Sequence, residues 1–236
     1  MPANLLLGVL PDHERRRIAP YCERVPLRLR MTLIEPESSV DHVWFPDSGV
    51  CSSLIHVSGG EAVEVALVGR EGMVGLPLVL GGFANPFHVV VQSAGSATRI
   101  AREPFTHEVL DSSRPFCGAL LKYANLYLSI VAQTAACNRL HTIEQRLARW
   151  LLDMRVRTDS PDLPLTHEFL GLMVGAYRPS VTNALSALEE RHLIHAGRGH
   201  VLLVDEKGLE AVACECHQAV QRRTMQTLDQ IRSMAA

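Results

Sequence analysis

No excess of charge of either sign marks this chain. Across 236 residues, 23 Lys+Arg stand against 25 Asp+Glu, giving a net charge of −2 and a pI near 6.6. The strongly basic balance of a protein that coats nucleic acid by bulk charge is missing. Positions 139–236 are no different, with 12 Lys+Arg against 12 Asp+Glu. Any contact with a polyanion must come from a local patch whose acidic neighbours are kept off the docking face. Long apolar runs are lacking too: none approaches the roughly eighteen residues of a membrane span. The stretch Met1 to Leu10 has neither a positive n-region nor a cleavage-like end, so no leader is expected. Cysteines are few and scattered (Cys22, Cys51, Cys117, Cys137, Cys214, Cys216), which with no leader predicts free thiols in a reduced, cytoplasmic setting.

Catalytic signatures are absent as well. His42, His56 and His88 are too far apart for a His-x-His pair, and no carboxylate follows at ligand spacing. No Ser or Cys sits in a nucleophile elbow or beside a named base. The chain is therefore not expected to be an enzyme, and no catalytic residue, metal site, cofactor or membrane association is expected. What is present is an ordinary composition, 47% hydrophobic and 20% charged, on a chain long enough for one large or two modest domains.

The most informative stretch is Leu165 to Val204. Thr166 can accept a hydrogen bond from a free first-turn amide, and Glu168 suits the positive end of a helix. Phe169, Leu170, Met173 and Val174 form the buried side of that helix. Gly171 faces the partner helix where a side chain would clash, and Gly175 can take positive φ in the turn. Pro179 then starts a second helix, where its missing amide is no loss. Val181, Leu185 and Leu188 fall at i, i+4 and i+7, leaving Arg178, Ser180, Thr182 and Asn183 near the outward N-terminal end. Two apolar runs, Leu193 to His195 and Val201 to Val204, flank Gly197-Arg198-Gly199 and predict a hairpin with a basic tip. The whole reads as a helix-turn-helix with a wing, whose second helix would enter a major groove.

Earlier in the chain, Asp12 to Arg17 predicts a short helix. Alternation predicts strands at Leu27 to Leu33, His42 to Phe45, Val50 to Val57, Ala62 to Val68, Phe87 to Ser93 and Ser96 to Ala101. Turn signals separate them at Glu35-Pro36-Glu37, Pro46-Asp47-Ser48-Gly49, Ser58-Gly59-Gly60, Gly69-Arg70-Glu71-Gly72 and Gly81-Gly82. Short strands at regular spacing predict a sandwich or jelly roll. From about 114 to 138 a long helix follows, in which Phe116, Leu120, Tyr123, Tyr127, Ile130, Thr134 and Cys137 recur at steps of four and three. Such a 3.5-residue repeat predicts a seam against a second copy of the chain. A helix from Thr142 to Val156, a linker from Asp159 to Pro164 and a tail helix from Glu206 to about Arg232 complete the reading. On one continuous tail helix, Cys214 and Cys216 would point about 200° apart and could not share an ion; only Cys214 with His217 could.

This order, with GREGMVGLPLVLGG in the roll and LTHEFLGLMVGAYRPSVTNALSALEERHLI after the linker, resembles the Crp/Fnr family of bacterial transcription regulators over nearly the whole chain. The resemblance implies an α+β fold: an N-terminal double-stranded β-helix (jelly roll) with its dimerisation helix over residues 1–138, and a C-terminal winged helix-turn-helix over 139–236. It implies a homodimer on double-stranded DNA, with RNA polymerase as a further partner. Arg178 falls at the position of a guanine-reading arginine. Pro179 stands where glutamate is frequent, and Asn183 where cyclic-AMP-binding members carry a second arginine, so the preferred half-site should differ. Thr166, His167, Tyr177, Ser180, Thr182 and the wing residue Arg198 are the remaining expected DNA contacts.

The effector side departs from the family. The Gly-Glu and Arg-Ser pairs that hold a cyclic nucleotide's ribose and phosphate become Gly75-Leu76 and Phe87-His88, and the base-touching Thr-Ser becomes Val131-Ala132. With Tyr123 and Tyr127 these residues outline the expected effector pocket. A buried phosphate with no arginine would lose at least one charged hydrogen bond, about 1.5–3 kcal/mol, so cyclic AMP in the usual pose is not expected and the effector is unassigned. The cysteine cluster of the family's iron-sulfur branch is also missing, with only Cys22 near the start. The alternative reading is a small-molecule sensor or adaptor that uses the roll without DNA.

Overall fold

The computed structural model of the chain describes residues 4–57, 62–82 and 84–235. Two short helices, α1 (Leu5–Gly8) and α2 (Asp12–Ile18), lead into a roll of seven strands: β1 (Glu23–Leu27), β2 (Thr32–Ile34), β3 (Ser38–Ser39), β4 (His42–His56), β5 (Ala62–Val68), β6 (Ala84–Asn85) and β7 (His88–Ala101). The main sheet runs β1-β7-β4-β5 with β2 also on β7, all antiparallel, and β3 pairs with β6 apart from it. A short helix α3 (Arg102–Pro104) and one π-helical segment (Phe105–Leu110) connect the roll to the 27-residue α4 (Arg114–Leu140). Then follow α5 (Ile143–Thr158), β8 (Asp162–Leu163), α6 (His167–Val174), α7 (Arg178–Glu190), β9 (Ile194–Gly197), β10 (His200–Leu203), α8 (Glu206–Val212) and α9 (Cys216–Ala235).

Two hydrophobic cores divide the molecule. One joins the inward face of the roll (Phe45, Val68, Met73, Ile100) to α4 (Phe116, Leu120, Tyr123, Tyr127) and α9 (Val220, Leu228, Ile231). The other is built on α5 (Leu147, Trp150, Leu151, Met154) with α6, α7 and the wing, and it reaches into the roll through Val50, Leu54 and Leu67. At the base of α5, Thr142 and Gln145 form a reciprocal capping box, and Asp159 ends the helix in the left-handed region at φ 55°.

Several sequence expectations are corrected. The alternating run from Leu27 to Leu33 is not one strand: Arg30 takes φ 65°, the chain turns between β1 and β2, and Leu29 and Met31 are exposed. The runs around Pro46-Asp47-Ser48-Gly49 are one bulged strand, β4, whose register against β7 shifts at Ser48 and again at Val50. Gly49 absorbs the bulge at φ 78°. Phe87 to Ser93 and Ser96 to Ala101 likewise merge into β7, which begins at His88. The turn expected at Ser58-Gly59-Gly60 lies outside the described residues. Asp162 and Leu163, expected in a linker, pair with β10 as the third strand of the wing sheet.

The expected seam is turned inward. Phe116, Leu120, Tyr123, Tyr127, Ile130, Thr134 and Cys137 are all buried within the single chain, because the roll covers one side of α4 and α9 runs antiparallel along another. By length and composition alone α4 is also long and apolar enough to cross a membrane, which the expectation of no long apolar run did not anticipate. Finally, the tail is two helices. The chain leaves helical conformation after Val212, and α9 begins only at Cys216, so the 200° separation argued for Cys214 and Cys216 does not apply. His217 does not pair with Cys214; its Nδ1 lies 2.8 Å from Asp153 Oδ1.

Candidate nucleic-acid interface

The reading helix is held by local chemistry. Thr166 caps α6 by accepting from the Phe169 amide (3.2 Å), and α6 ends at Gly175 with φ 58°. A Cβ on Gly171 would stand 2.8 Å from the Ala176 carbonyl oxygen, so glycine is what lets the turn fold back on the helix. The Ala176 amide closes the turn on the Gly171 carbonyl at 2.9 Å. In α7, Pro179 occupies the first turn, and Val181, Leu185 and Leu188 are buried. Phe169 packs edge-on to Trp150 of α5, fixing the pair against the second core.

The expected contact residues sit at one end of this unit. Tyr177 is 76% exposed at the cap of α7, with Arg178, Asn183 and Thr166 also exposed. Ser180 is half-buried. Thr182 donates to the Arg178 carbonyl (3.1 Å) and meets His167 Nδ1 at 3.1 Å, so both side chains are engaged in bracing α6 against α7. Arg198 stands on the wing tip beside Gly199 at φ 81°. Several acidic side chains of this half are engaged with other groups and not with the two exposed arginines. Glu144 pairs with Arg191 (3.0 Å), Glu189 with His195 (2.9 Å), Asp162 with His200 (3.1 Å) and Glu206 with Arg155 (2.7 Å). Arg178 and Arg198 stay exposed and, among the described residues, without a carboxylate partner.

The back of the unit rests on the roll. Ser52 Oγ lies 3.9 Å from Met173 Sδ, and a Cβ on Gly175 would meet Val63 at 2.9 Å. Glu64 on β5 is the polar centre of this contact: it accepts from Ser52 Oγ (2.6 Å) and from Trp150 Nε1 (2.8 Å). Burial pushes its carboxyl up to about 7, against the opposing pull of those two hydrogen bonds and of Arg149 and Arg157. Arg157 Nε donates to Glu71 in the roll at 2.7 Å, a second link that is largely buried. Burial alone would raise Asp153, but the His217 hydrogen bond with Arg149 and Arg157 brings it below its usual value and ties α5 to α9. Beside these links, a cleft of about 560 Å³ opens between the β4–β5 hairpin and the turn, lined by Val63, Arg146, Leu172, Tyr177 and Arg178. Sequence reading had no signal for this contact, since Glu64 and Trp150 are distant in the chain.

The expected effector pocket is nearly closed. Gly75, Leu76, Phe87 and Tyr127 do come together, with Ser53 and Asn85, but around a cavity of only about 20 Å³, room for a single water. Phe87 and Tyr127 fill it in an edge-on ring contact, and Tyr123 turns away to donate to the Met73 carbonyl (3.4 Å). His88 and Val131 do not line it. His88 instead faces His56 (3.1 Å) and Thr32 (3.1 Å) on the outer side of the sheet.

Residues 145–212 match the family model of the Crp-like helix-turn-helix domain. No curated protein matches the chain. Among solved structures it is similar to FixK2 from Bradyrhizobium japonicum, at 16% identity over 82% of this chain and 98% of that one, with a TM-score of 0.69. A similar likeness holds for CLP, the c-di-GMP responsive global regulator of Xanthomonas campestris: 16% identity, 82% and 99% coverage, TM-score 0.67. A CRP/FNR family transcriptional regulator from Thermus thermophilus gives 19% identity, 81% and 98% coverage and a TM-score of 0.67. Residues 145–212 thus match a Crp-like helix-turn-helix domain, carried on a chain whose fold is similar to that of FixK2 and of the Thermus thermophilus CRP/FNR family regulator.

Proposed function

We propose that the chain is a homodimeric transcription regulator that reads a near-palindromic operator through α7. The observation that carries this reading is the end of the helix-turn-helix itself: Arg178 exposed and, among the described residues, without a carboxylate partner at the start of α7, and Arg198 equally free on the wing. An arginine fork there bonds guanine O6 and N7, Asn183 suits adenine, and Thr166, Tyr177, Ser180 and Arg198 meet phosphates. Pro179 supplies no base contact. Residues 139–236 act as the DNA-reading unit and residues 1–138 as the platform that dimerises and senses, in the cytoplasm where the DNA is, with RNA polymerase as a further partner.

Dimerisation would use the face of α4 that the chain leaves open. Leu121, Asn125, Leu128, Ala132 and Ala135 are exposed and recur at steps of four and three, with Leu121 47% and Leu128 58% exposed. A heptad stripe of this kind is what a second copy would cover, and two units so joined would address successive major grooves about 34 Å apart. Sensing would pass through the Glu64–Trp150 and Arg157–Glu71 links, because the β4–β5 hairpin that carries Glu64 also supports the turn before α7. Selection from random duplexes tests the reading: an enriched palindrome with guanine at the Arg178 position supports it, and no enrichment would refute it.

A further inference from the structure

Two segments far apart in the sequence converge where α4 ends and α9 begins. Cys137 lies in the last turn of α4 and His141 at its C-cap, one turn further on. Cys214 and Cys216 flank Glu215 in the connection that leads from α8 into α9. Three thiol sulfurs and a ring nitrogen of His141 all lie within 4.8 Å of one another. Cys137 Sγ and Cys214 Sγ are 3.5 Å apart, and Cys216 Sγ and His141 Nδ1 are 3.7 Å apart. Around one tetrahedral ion, with metal–sulfur bonds of ~2.3 Å and metal–nitrogen bonds of ~2.0 Å, sulfur pairs stand ~3.8 Å apart and sulfur–nitrogen pairs ~3.5 Å. These two separations are close to the edges of such a tetrahedron.

We propose that Cys137, His141, Cys214 and Cys216 form a binding site for a single Zn²⁺ ion. The surroundings suit that role. With Nδ1 turned to the cluster, His141 presents Nε2 to Glu215 Oε1 at 3.3 Å, the carboxylate–histidine pairing that orients a metal-bound imidazole. Gln133 Nε2 donates to Cys216 Sγ at 3.1 Å. Three thiolates and one Zn²⁺ leave a net charge of −1 in a mostly buried place. Arg146 and Arg149 bear electrostatically on Cys137 and Cys214, and each keeps a buried Nε with no hydrogen-bond partner among the described residues. Iron-sulfur clusters fit less well, since their own irons and sulfides need the ligands spread further apart. A Cys137–Cys214 disulfide would leave the approach of Cys216 and His141 without a purpose. Because four soft and borderline ligands close the coordination sphere, the ion would be structural, with no open position for substrate. Its place is the junction where α4 passes through His141 and Thr142 into α5, so it would clasp α9 to the root of the DNA-reading unit and add its binding energy to folding.

The test uses the full-length chain, expressed with zinc and purified under reducing conditions, with metal measured by mass spectrometry. We expect one zinc per chain. Cys214→Ser and His141→Ala should each weaken retention against a chelator by at least about tenfold, while Cys22→Ser keeps it. Replacing zinc with Co²⁺ should give thiolate-to-metal charge transfer and the intense visible bands of a tetrahedral site. If the variants fail to fold, the wild-type chain stripped by chelator decides: uptake of one equivalent on back-titration supports the site. No uptake, full zinc retention by Cys214→Ser and His141→Ala, or a Cys137–Cys214 disulfide persisting under reducing conditions would overturn it.

Discussion

In the proposed reading, the single guanidinium at position 178 carries most of the sequence information the interface can offer. Its neighbours explain why. Pro179 has no side-chain donor or acceptor and no amide, while Thr182 is occupied with the Arg178 carbonyl and His167, which leaves Asn183 as the proposed second reader. Buried on β5 of the roll, behind the helix-turn-helix, Glu64 makes a different prediction. Its carboxyl is pushed up to about 7 from an ordinary 4.5, so the native state holds a proton that the unfolded chain gives up. The stability this confers is complete below about 4.5 and is lost as pH rises through 7, on the order of 3 kcal/mol in total. Glu64→Gln keeps a hydrogen-bonding group there and removes the charge. Thermal unfolding of Glu64→Gln should therefore show a higher midpoint than the native chain at pH 8 and a flatter profile between pH 5 and 8; an unchanged slope would contradict the assignment.

Among the elements, α4 shows what a sequence can and cannot say. Two series on it obey the same four-three spacing: Phe116 through Cys137, and Leu121 through Ala135. Periodicity cannot choose between them, because the choice is made by the roll and by α9, which folds back from far downstream, and together these bury the first series. The open series is then the one that the proposed partner copy would cover. Leu128→Glu changes a 58% exposed residue and should cost the monomer little, about 0.5 kcal/mol or less. It should shift sedimentation from dimer to monomer and weaken operator binding about a hundredfold as joint engagement of two half-sites is lost. An unchanged mass would contradict this face as the seam. The capped, glycine-turned α6–α7 unit was legible residue by residue, since Thr166, Gly171, Gly175 and Pro179 act within one or two turns of themselves. Strands β4 and β7 were not, because Pro46 to Gly49 is as good a bulge as a turn, and only the pairing with β7 distinguishes the two. The cysteine cluster was beyond reach for the same reason as the seam: Cys137 and Cys214 meet only in three dimensions.

In the whole molecule, two cores meet at the β4–β5 hairpin, and the link between them runs through a few polar groups. The roll's own interior is filled by Phe87 and Tyr127, leaving about 20 Å³ where small-molecule sites need roughly 300 Å³ or more. Cyclic AMP at millimolar concentration should then leave the thermal midpoint unchanged and give no heat of binding in calorimetry; a saturable shift would show that the pocket opens. In the proposed account the roll is a platform whose hairpin supports the turn before α7, while α4 would join two copies and, through its last turn, reaches the tail. The central claim, that this assembly reads DNA sequence through Arg178, is tested most directly by selecting random duplexes with the native chain and with Arg178→Ala in parallel. The account predicts a palindrome with a strong guanine for the native chain, and for Arg178→Ala a loss of that guanine preference worth about 1–3 kcal/mol per half-site. The same enriched sequence from both proteins, or none from the native chain, would contradict it.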